Sequence, residues 1–247
     1  MNIRIDTHTH SVASGHAFST IDDLARGARA SGLDGFVLTD HGPGMPGSTH
    51  PYHFGNLRIV PELIEGVRFL SGVEANIMDT AGGVDLAPYL LSRLDFVLAG
   101  FHDICFDPGS RSANTDAMIA ALSNPLVDAI SHPGNPSFPI DNQAVVRAAA
   151  AFGKALEINN SSFRIRKGSE RSCAELASLC AREGASVVCG SDAHYWRDVG
   201  NLSKAVAVIE AAGIPEEQVL NASVDRFLSF CERRKRERAE AAGPSPF

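Results

Sequence analysis

Short apolar runs alternate with stretches of helical periodicity through most of the chain. Strands are predicted over Asn2–Asp6, Gly35–Thr39, Arg68–Val73, Asp95–Ala99, Val127–Ile130, Ala155–Ile158 and Ser186–Cys189. Each run is short and mostly apolar, as strands covered on both faces are. Helices are predicted over Thr20–Ser31, Thr115–Ser123, Asn142–Phe152, Ser169–Glu183, Asn201–Ala212 and Val224–Arg238. The first is clearly punctuated, with Thr20 as N-cap, Asp22 and Asp23 in the first turn and Gly32 past the end. Gly42–Leu57 holds three prolines and four glycines without periodicity, and reads as a loop.

Strands alternating with helices imply a parallel α/β sheet, either doubly wound or closed. A distorted seven-stranded (β/α) barrel is favoured, because chemistry-bearing residues follow nearly every strand instead of gathering at one crevice. No composition break divides residues 1–247, which read as one domain with a flexible tail over about 239–247. The Arg233-Arg234-Lys235-Arg236 run reads as the solvated end of the final helix, where cations complement the helix dipole, and not as a nucleic-acid patch.

Composition narrows the function classes. Lys plus Arg number 22 against 29 Asp plus Glu, a net charge of −7, so the surface as a whole does not draw nucleic acid or anionic lipid. An anionic substrate would need a local source of positive charge. No apolar run approaches the roughly 18 residues that span a bilayer, and no secretory signal is expected at Met1–Asp6. Cys105, Cys173, Cys180, Cys189 and Cys231 are odd in number and lack Cys-x-x-Cys spacing. They read as free thiols of a reducing cytoplasm, not as metal ligands.

The nine histidines carry the chemistry. His8 and His10 follow the first predicted strand, His41 the second, His102 the fourth, His132 the fifth and His194 the seventh, while Glu74 closes the third and Asp192 precedes His194 by two. Residues two apart on an extended segment leave the same face, as two ligands of one ion must. In a closed barrel the carboxyl ends of all strands meet on one rim. Imidazoles with a few carboxylates suit zinc best, with iron or manganese as alternatives. In the long loop, His50 reads as an ordinary polar residue and His53 as a contact to the ligands or to substrate.

Asp6-Thr7-His8-Thr9-His10, His16, Leu38-Thr39-Asp40-His41, Gly72-Val73-Glu74, Gly100-Phe101-His102, Ser131-His132-Pro133-Gly134-Asn135 and Gly190-Ser191-Asp192-Ala193-His194 together resemble the polymerase-and-histidinol-phosphatase (PHP) superfamily. Its YcdX-type phosphatase branch is the most similar. The likeness runs from residue 3 to about 230 and includes Glu157-Ile158-Asn159-Asn160-Ser161-Ser162-Phe163, which offers no obvious ligand. The resemblance implies a distorted seven-stranded barrel, three divalent ions at its rim, and a homotrimer. It implies one ion on His8, His10, Glu74 and Asp192, a second on Glu74, His102 and His132 with Glu74 bridging, and a third on His16, His41 and His194.

Three divalent ions against two carboxylates would leave this site strongly positive, the local charge that a phosphate needs. The implied reaction is in-line attack on a phosphate monoester by a metal-bound hydroxide held at Glu74 and Asp192. Asp6 and Asp40 are expected to accept hydrogen bonds from ligand imidazoles. Arg164, Arg166 and Lys167 are expected to grip the substrate anion or else to be ordinary surface cations. A small phosphorylated substrate is the expected partner, with no membrane and no long nucleic acid. An amidohydrolase-type hydrolase would want a Lys where Gly100-Phe101-His102 stands. A phosphodiesterase or oligonucleotide exonuclease at the same site, and a non-catalytic metal-binding barrel, remain as alternatives.

Overall fold

Strands that are apolar on both faces pair in parallel beneath covering helices, and these do so. The computed structural model describes residues 1–243. In it β1 (Ile5–Thr9), β2 (Gly35–Leu38), β4 (Val67–Asn76), β5 (Phe96–Gly100), β6 (Ala129–Ile130), β7 (Ala155–Asn159) and β8 (Ser186–Gly190) pair in that order, all parallel. A two-residue β3 (Leu63–Ile64), which the pattern did not reveal, pairs antiparallel with β4. Around the sheet run α1 (Ile21–Ala30), α2 (Tyr52–Asn56), α3 (Pro88–Leu91), α4 (Arg111–Ser123) and α5 (Asn142–Phe152). α6 (Ser162–Ile165), α7 (Ser169–Glu183), α8 (Ser203–Ala211) and α9 (Val224–Ala242) follow. The α1 start is a capping box in which the Thr20 side chain accepts from Asp23 N and Asp23 from Thr20 N.

The seven parallel strands form the expected, nearly closed barrel. Ile5, Val37, Leu70, Phe96, Leu98, Ala129, Ala155 and Val188 fill its inside, and two larger apolar clusters lie outside, between strands and helices. β1 and β8 close the seam with little direct pairing: a single bridge joins Thr9 and Ala193. Asn221 splices the rest. Its Nδ2 donates to Ile5 O and Cys189 O, both at 2.7 Å, and its Oδ1 accepts from Cys189 N at 3.1 Å. Thr7 Oγ1 adds a bond to Cys189 O at 3.1 Å.

Several boundaries differ from the sequence pattern. β1 is Ile5–Thr9, not Asn2–Asp6, and β4 runs on to Asn76, so His8 and Glu74 lie within strands. The apolar pattern stops early because the last inward residues of these strands face other polar groups. α4 begins at Arg111, capped by Ser110, and the loop over 42–57 contains α2. α9 continues to Ala242, past residue 239 where the tail was expected to begin; residues 244–247 lie outside the described region. Among the described residues, no helix is long and apolar enough to cross a membrane.

The basic run of α9 is solvated only in part: Arg233 and Arg236 are exposed, but Arg234 is buried. Arg234 and Arg238, one helical turn apart, are 3% and 0% exposed and both engage Asp128, just ahead of β6. Arg234 Nε lies 3.0 Å from Asp128 Oδ1, Arg238 Nη1 reaches Oδ2, and Val97 N donates to that same Oδ2 at 2.9 Å. Carbonyls of Pro125, Val127, Leu91, Leu94 and Asp95 take further guanidinium protons, and Arg234 Nη1 also reaches the Glu237 carboxylate. Together with Phe227, Phe230 and Cys231, this closes the amino-terminal end of the barrel. Asp128→Ala leaves Arg238 buried without its carboxylate and Arg234 with Glu237 alone, and is expected to cost about 3–5 kcal/mol of stability. Denaturant unfolding measures this, and a loss below about 1 kcal/mol would show that the pairs act like surface ion pairs.

Candidate metal centre

Period-two alternation decides which polar residues enter the barrel mouth. Counting on from the inward Val37, Leu70, Leu98, Ala155 and Val188, the same parity reaches His41, Glu74, His102, Glu157 with Asn159, and Asp192 with His194. β1 would break this rule, because Ile5 points inward and parity from it selects Thr7 and Thr9. A register irregularity between Asp6 and Thr9 sets two residues opposite Val37, which transfers the inward parity to His8 and His10. Gly100 and Gly190 stand where the walls are tightest. A Cβ on Gly100 would lie 2.1 Å from Ser131 Oγ, and one on Gly190 2.2 Å from Glu157 Oε1. His132 (φ 34°) and Asp192 (φ 56°) leave their strands in the left-handed region, strain that turns both side chains into the mouth.

All nine candidate ligands meet here. Glu74 is central: its Oε2 lies 3.2 Å from His8 Nε2, 3.6 Å from His10 Nε2 and 3.0 Å from His41 Nδ1. Its Oε1 faces the other way, 2.7 Å from His132 Nε2 and 3.4 Å from His102 Nε2. Asp192 Oδ1 lies 3.3 Å from His10 Nε2 and 3.7 Å from His8 Nε2. His16 and His194 meet at the open lip, Nε2 to Nε2 at 3.0 Å, and the His16 ring stacks on His41 with centroids 5.1 Å apart. Three sets have ligand atoms that all lie within 4.8 Å of one another: His8 with His10 and Glu74, His41 with Glu74 and His102, and His10 with His41 and His194.

The donor chemistry fits cations. Nδ1 of His8 donates to Glu157 Oε1, of His10 to Ser14 Oγ, of His16 to Ser14 O and of His194 to Asp192 O. In the neutral ring each therefore presents a bare Nε2 to the centre. Two such nitrogens face each other at 3.0 Å across both His8/His10 and His16/His194. Buried side-chain atoms without a hydrogen-bond partner include His41 Nδ1, Glu74 Oε2 and both nitrogens of His102. Unpartnered groups are rare in native interiors, and four in one cluster mark a site built for something else.

The field has a matching shape. Burial pushes His10 well below the usual imidazole range, aided by His194 and His41, and pushes His132 down to about 4, aided by Arg166. Burial opposes charge on His8 too, but Glu157, Glu74 and Asp192 outweigh it and hold His8 well above that range. Burial is likewise outweighed at Glu74 by His8, His102, His41 and His132, and at Asp192 by His8, His10 and Arg166, so both carboxyls sit well below the usual range. Two buried anionic carboxylates thus face a set of ring nitrogens at the centre. Divalent ions ask for that donor set.

The surrounding residues correct and extend the sequence reading. Asp6 accepts from the backbone N–H of His8, Ser191 and Gly200, and binds no imidazole. It pins the β1/β8 seam instead. Asp40 reaches a ligand ring only through Ser14, and His53 Nε2 lies 3.1 Å from Asp40 Oδ2. Arg166 points both terminal nitrogens at Asp192 Oδ2, at 3.3 Å, whereas Arg164 turns outward to Asp198 at 3.5 Å. Lys167 is exposed on the lip of a cavity of about 310 Å³ that Arg166, His102, Phe101 and Asn135 also line.

Sequence reasoning passed over Glu157, which is 1% exposed and takes His8 Nδ1–H on one oxygen and His132 N–H on the other, each at 2.8 Å. Its signal was present: Glu157 and Asn159 flank Ile158 at period two in an otherwise apolar strand. Asn159 Nδ2 in turn lies 3.1 Å from Glu157 Oε2 and 3.3 Å from Asp192 Oδ2.

Fold and site together define a (β/α)-barrel protein with a histidine and carboxylate cluster at its carboxyl rim. The chain is 51% identical to a probable phosphatase of Acetivibrio thermocellus, over 95% of this chain and 98% of that protein. It is also 51% identical to a probable phosphatase of Caldanaerobacter subterraneus subsp. tengcongensis, over 96% and 94%. The chain belongs to this family of probable phosphatases. No protein-family model matches it. Among solved structures, histidinol phosphate phosphatase from Lactococcus lactis, in complex with zinc, L-histidinol and phosphate, is similar in fold. That match has a TM-score of 0.64 and 20% identity, and covers 87% of this chain and 95% of that one.

Glu157→Ala removes the carboxylate that orients His8 and His132. It is expected to weaken zinc binding by about 10–100-fold in competition with a chromophoric chelator. Unchanged affinity would make Glu157 a packing residue.

Proposed function

We propose that this chain hydrolyses phosphate monoesters at three divalent cations, zinc by preference, as an enzyme of the YcdX-type branch. The observation that carries the reading is the set of Nε2 atoms facing one another across the mouth, with Glu74 turned to both halves of the cluster. His8, His10, Glu74 and Asp192 would hold one ion, Glu74, His102 and His132 a second, and His16, His41 and His194 a third. Such ions, when bound, supply Lewis acidity and a water nucleophile at neutral pH.

The protein's own part is positioning and charge. His8 and His10 lie fully buried on the floor while His16 and His194 stand at the lip, so a phosphoryl group entering from outside meets open donor positions first. Arg166 steadies Asp192 from the side of the cavity beside His102, which has room for a small leaving group. Two carboxylates against seven imidazoles leave a loaded site positive within a chain of net charge −7, which supports a small anionic substrate over long nucleic acid. The five free cysteines suit a reducing compartment such as the cytoplasm. A homotrimer belongs to the same reading. Phe18 and Tyr52, each 76% exposed, support an assembly, and light scattering should give about three times 26.2 kDa; a monomer would refute that part.

The decisive measurement pairs elemental analysis with turnover of 4-nitrophenyl phosphate and bis(4-nitrophenyl) phosphate. The expected outcome is stoichiometric zinc, loss of turnover on chelation, and at least about tenfold preference for the monoester. Glu74→Ala should abolish turnover and lower the metal content while far-UV circular dichroism remains that of a folded barrel. Preference for the diester would favour the phosphodiesterase alternative. Metal without turnover of either ester would favour a binding barrel, and manganese or iron would change only the ion.

A further inference from the structure

We infer that Ser14 is the residue that positions the candidate ligands His10, His16 and His41 as one unit, passing the charge of Asp40 to the His10 ring. The inference rests on the metal-centre reading and extends it to a residue that would touch no ion itself.

Ser14 is fully buried at the end of a short 3-10 turn, Val12–Ser14, between the two ligands of the first segment, His10 and His16. A hydroxyl has one proton to donate and two lone pairs to accept with. The direction of each bond follows from its partners. Asp40 Oδ1 already accepts from the backbone N–H of Ser11 at 2.7 Å, and Asp40 Oδ2 from Ser11 Oγ at 2.7 Å. Asp40 therefore acts as an acceptor, and the Ser14 proton goes to its Oδ1 at 2.7 Å. With that proton committed, Ser14 Oγ can only accept from His10 Nδ1 at 3.0 Å, and its other lone pair takes His41 N–H at 3.2 Å. The Ser14 carbonyl accepts from His16 Nδ1 at 3.1 Å.

Two consequences follow from this saturated geometry. His10 and His16 are both held as the Nδ1–H tautomer, leaving Nε2 free, and the backbone entering His41 is tied to the same oxygen. The Asp40 carboxylate also polarises the Ser14 hydroxyl, which makes its oxygen a better acceptor and His10 Nε2 a better donor to a cation. Carboxylates set behind ligand imidazoles act in this way directly; here a serine stands between the carboxylate and the His10 ring. His53 Nε2, on the far side of Asp40 at 3.1 Å and half-buried, ends the chain.

The test uses full-length protein stripped of metal and titrated with zinc against a chromophoric chelator. Long-range nitrogen–proton NMR of 15N-histidine-labelled protein reads the tautomers in parallel. Ser14→Ala is expected to weaken zinc binding by about 10–100-fold and to shift His10 from pure Nδ1–H to a mixture of tautomers. The metal-free variant is expected to lose some stability, because buried groups are left without their partner, so the tautomer signal, which a purely structural role would not move, decides between positioning and structural roles. Asp40→Asn should weaken zinc in the same range, and the double variant should bind no worse than Ser14→Ala, because the two act in series. Zinc affinity of Ser14→Ala within about twofold of wild type, or fully additive losses in the double variant, would overturn the inference. If Ser14→Ala does not fold, Asp40→Asn decides by the same criterion. Wild-type protein that takes up no zinc would instead refute the metal-centre reading itself.

Discussion

One carboxylate sealed from water sets the terms for everything around it. Glu74 is 1% exposed and has five imidazole nitrogens within 3.6 Å of its two oxygens. A buried anion is tolerated only where compensating charge and hydrogen bonds surround it. Of the five rings around Glu74, His8 and His10 turn Nδ1 outward to Glu157 and Ser14, while His132 Nε2 lies 2.7 Å from Glu74 Oε1. His41 Nδ1, Glu74 Oε2 and both nitrogens of His102 are left without a hydrogen-bond partner, and the Nε2 atoms of His8 and His10 face each other at 3.0 Å. Cations resolve that conflict, which is why a metal centre is the reading that satisfies the most groups at once.

Such an arrangement holds only on a stiff frame. The left-handed backbone at His132 and Asp192 costs on the order of 1–3 kcal/mol per residue and persists only where neighbours over-determine it. The neighbours are visible: His132 N is held by Glu157, and Asp192 N donates to His8 O at 2.9 Å across the β1/β8 seam. Asn221 supplies the hydrogen bonds that the seam's sparse ladder does not. At the opposite end, Arg234 and Arg238 lock α9 against Asp128. The histidine and carboxylate cluster is therefore mounted on a barrel closed at its floor and stitched at its edge.

Exposure grades from floor to lip. His8 and His10 are dry, His102 and His194 half-buried, and His16 open. Charges on the floor interact through a medium of low effective dielectric, while the lip is screened by water. A ligand approaching the mouth meets the accessible part of the cluster first and displaces little protein to reach it. Arg166 stands between these zones, tied to Asp192 on one side and lining a small cavity on the other.

Most of the barrel and eight of the nine candidate ligands could be placed from the chain's own pattern, while His16 came only with the family resemblance. Apolar runs of strand length are local, and imidazoles spaced two apart on extended backbone share a face whatever the rest does. The rim of a parallel barrel then gathers them. Ser14 and Asn221 were not legible in this way, because each is an ordinary polar residue until its partner is known; Glu157 left a period-two signal, but its bond to His8 spans 149 positions of chain. The parity of His8 and His10 likewise depended on a bulge that only pairing with β2 exposes. Alternation and donor chemistry are properties of neighbouring residues and survive in a one-dimensional reading. Which arginines of α9 are buried, which acid pins backbone instead of a ring, and where the seam closes are set by contacts between distant segments, and those came into being only with the folded barrel.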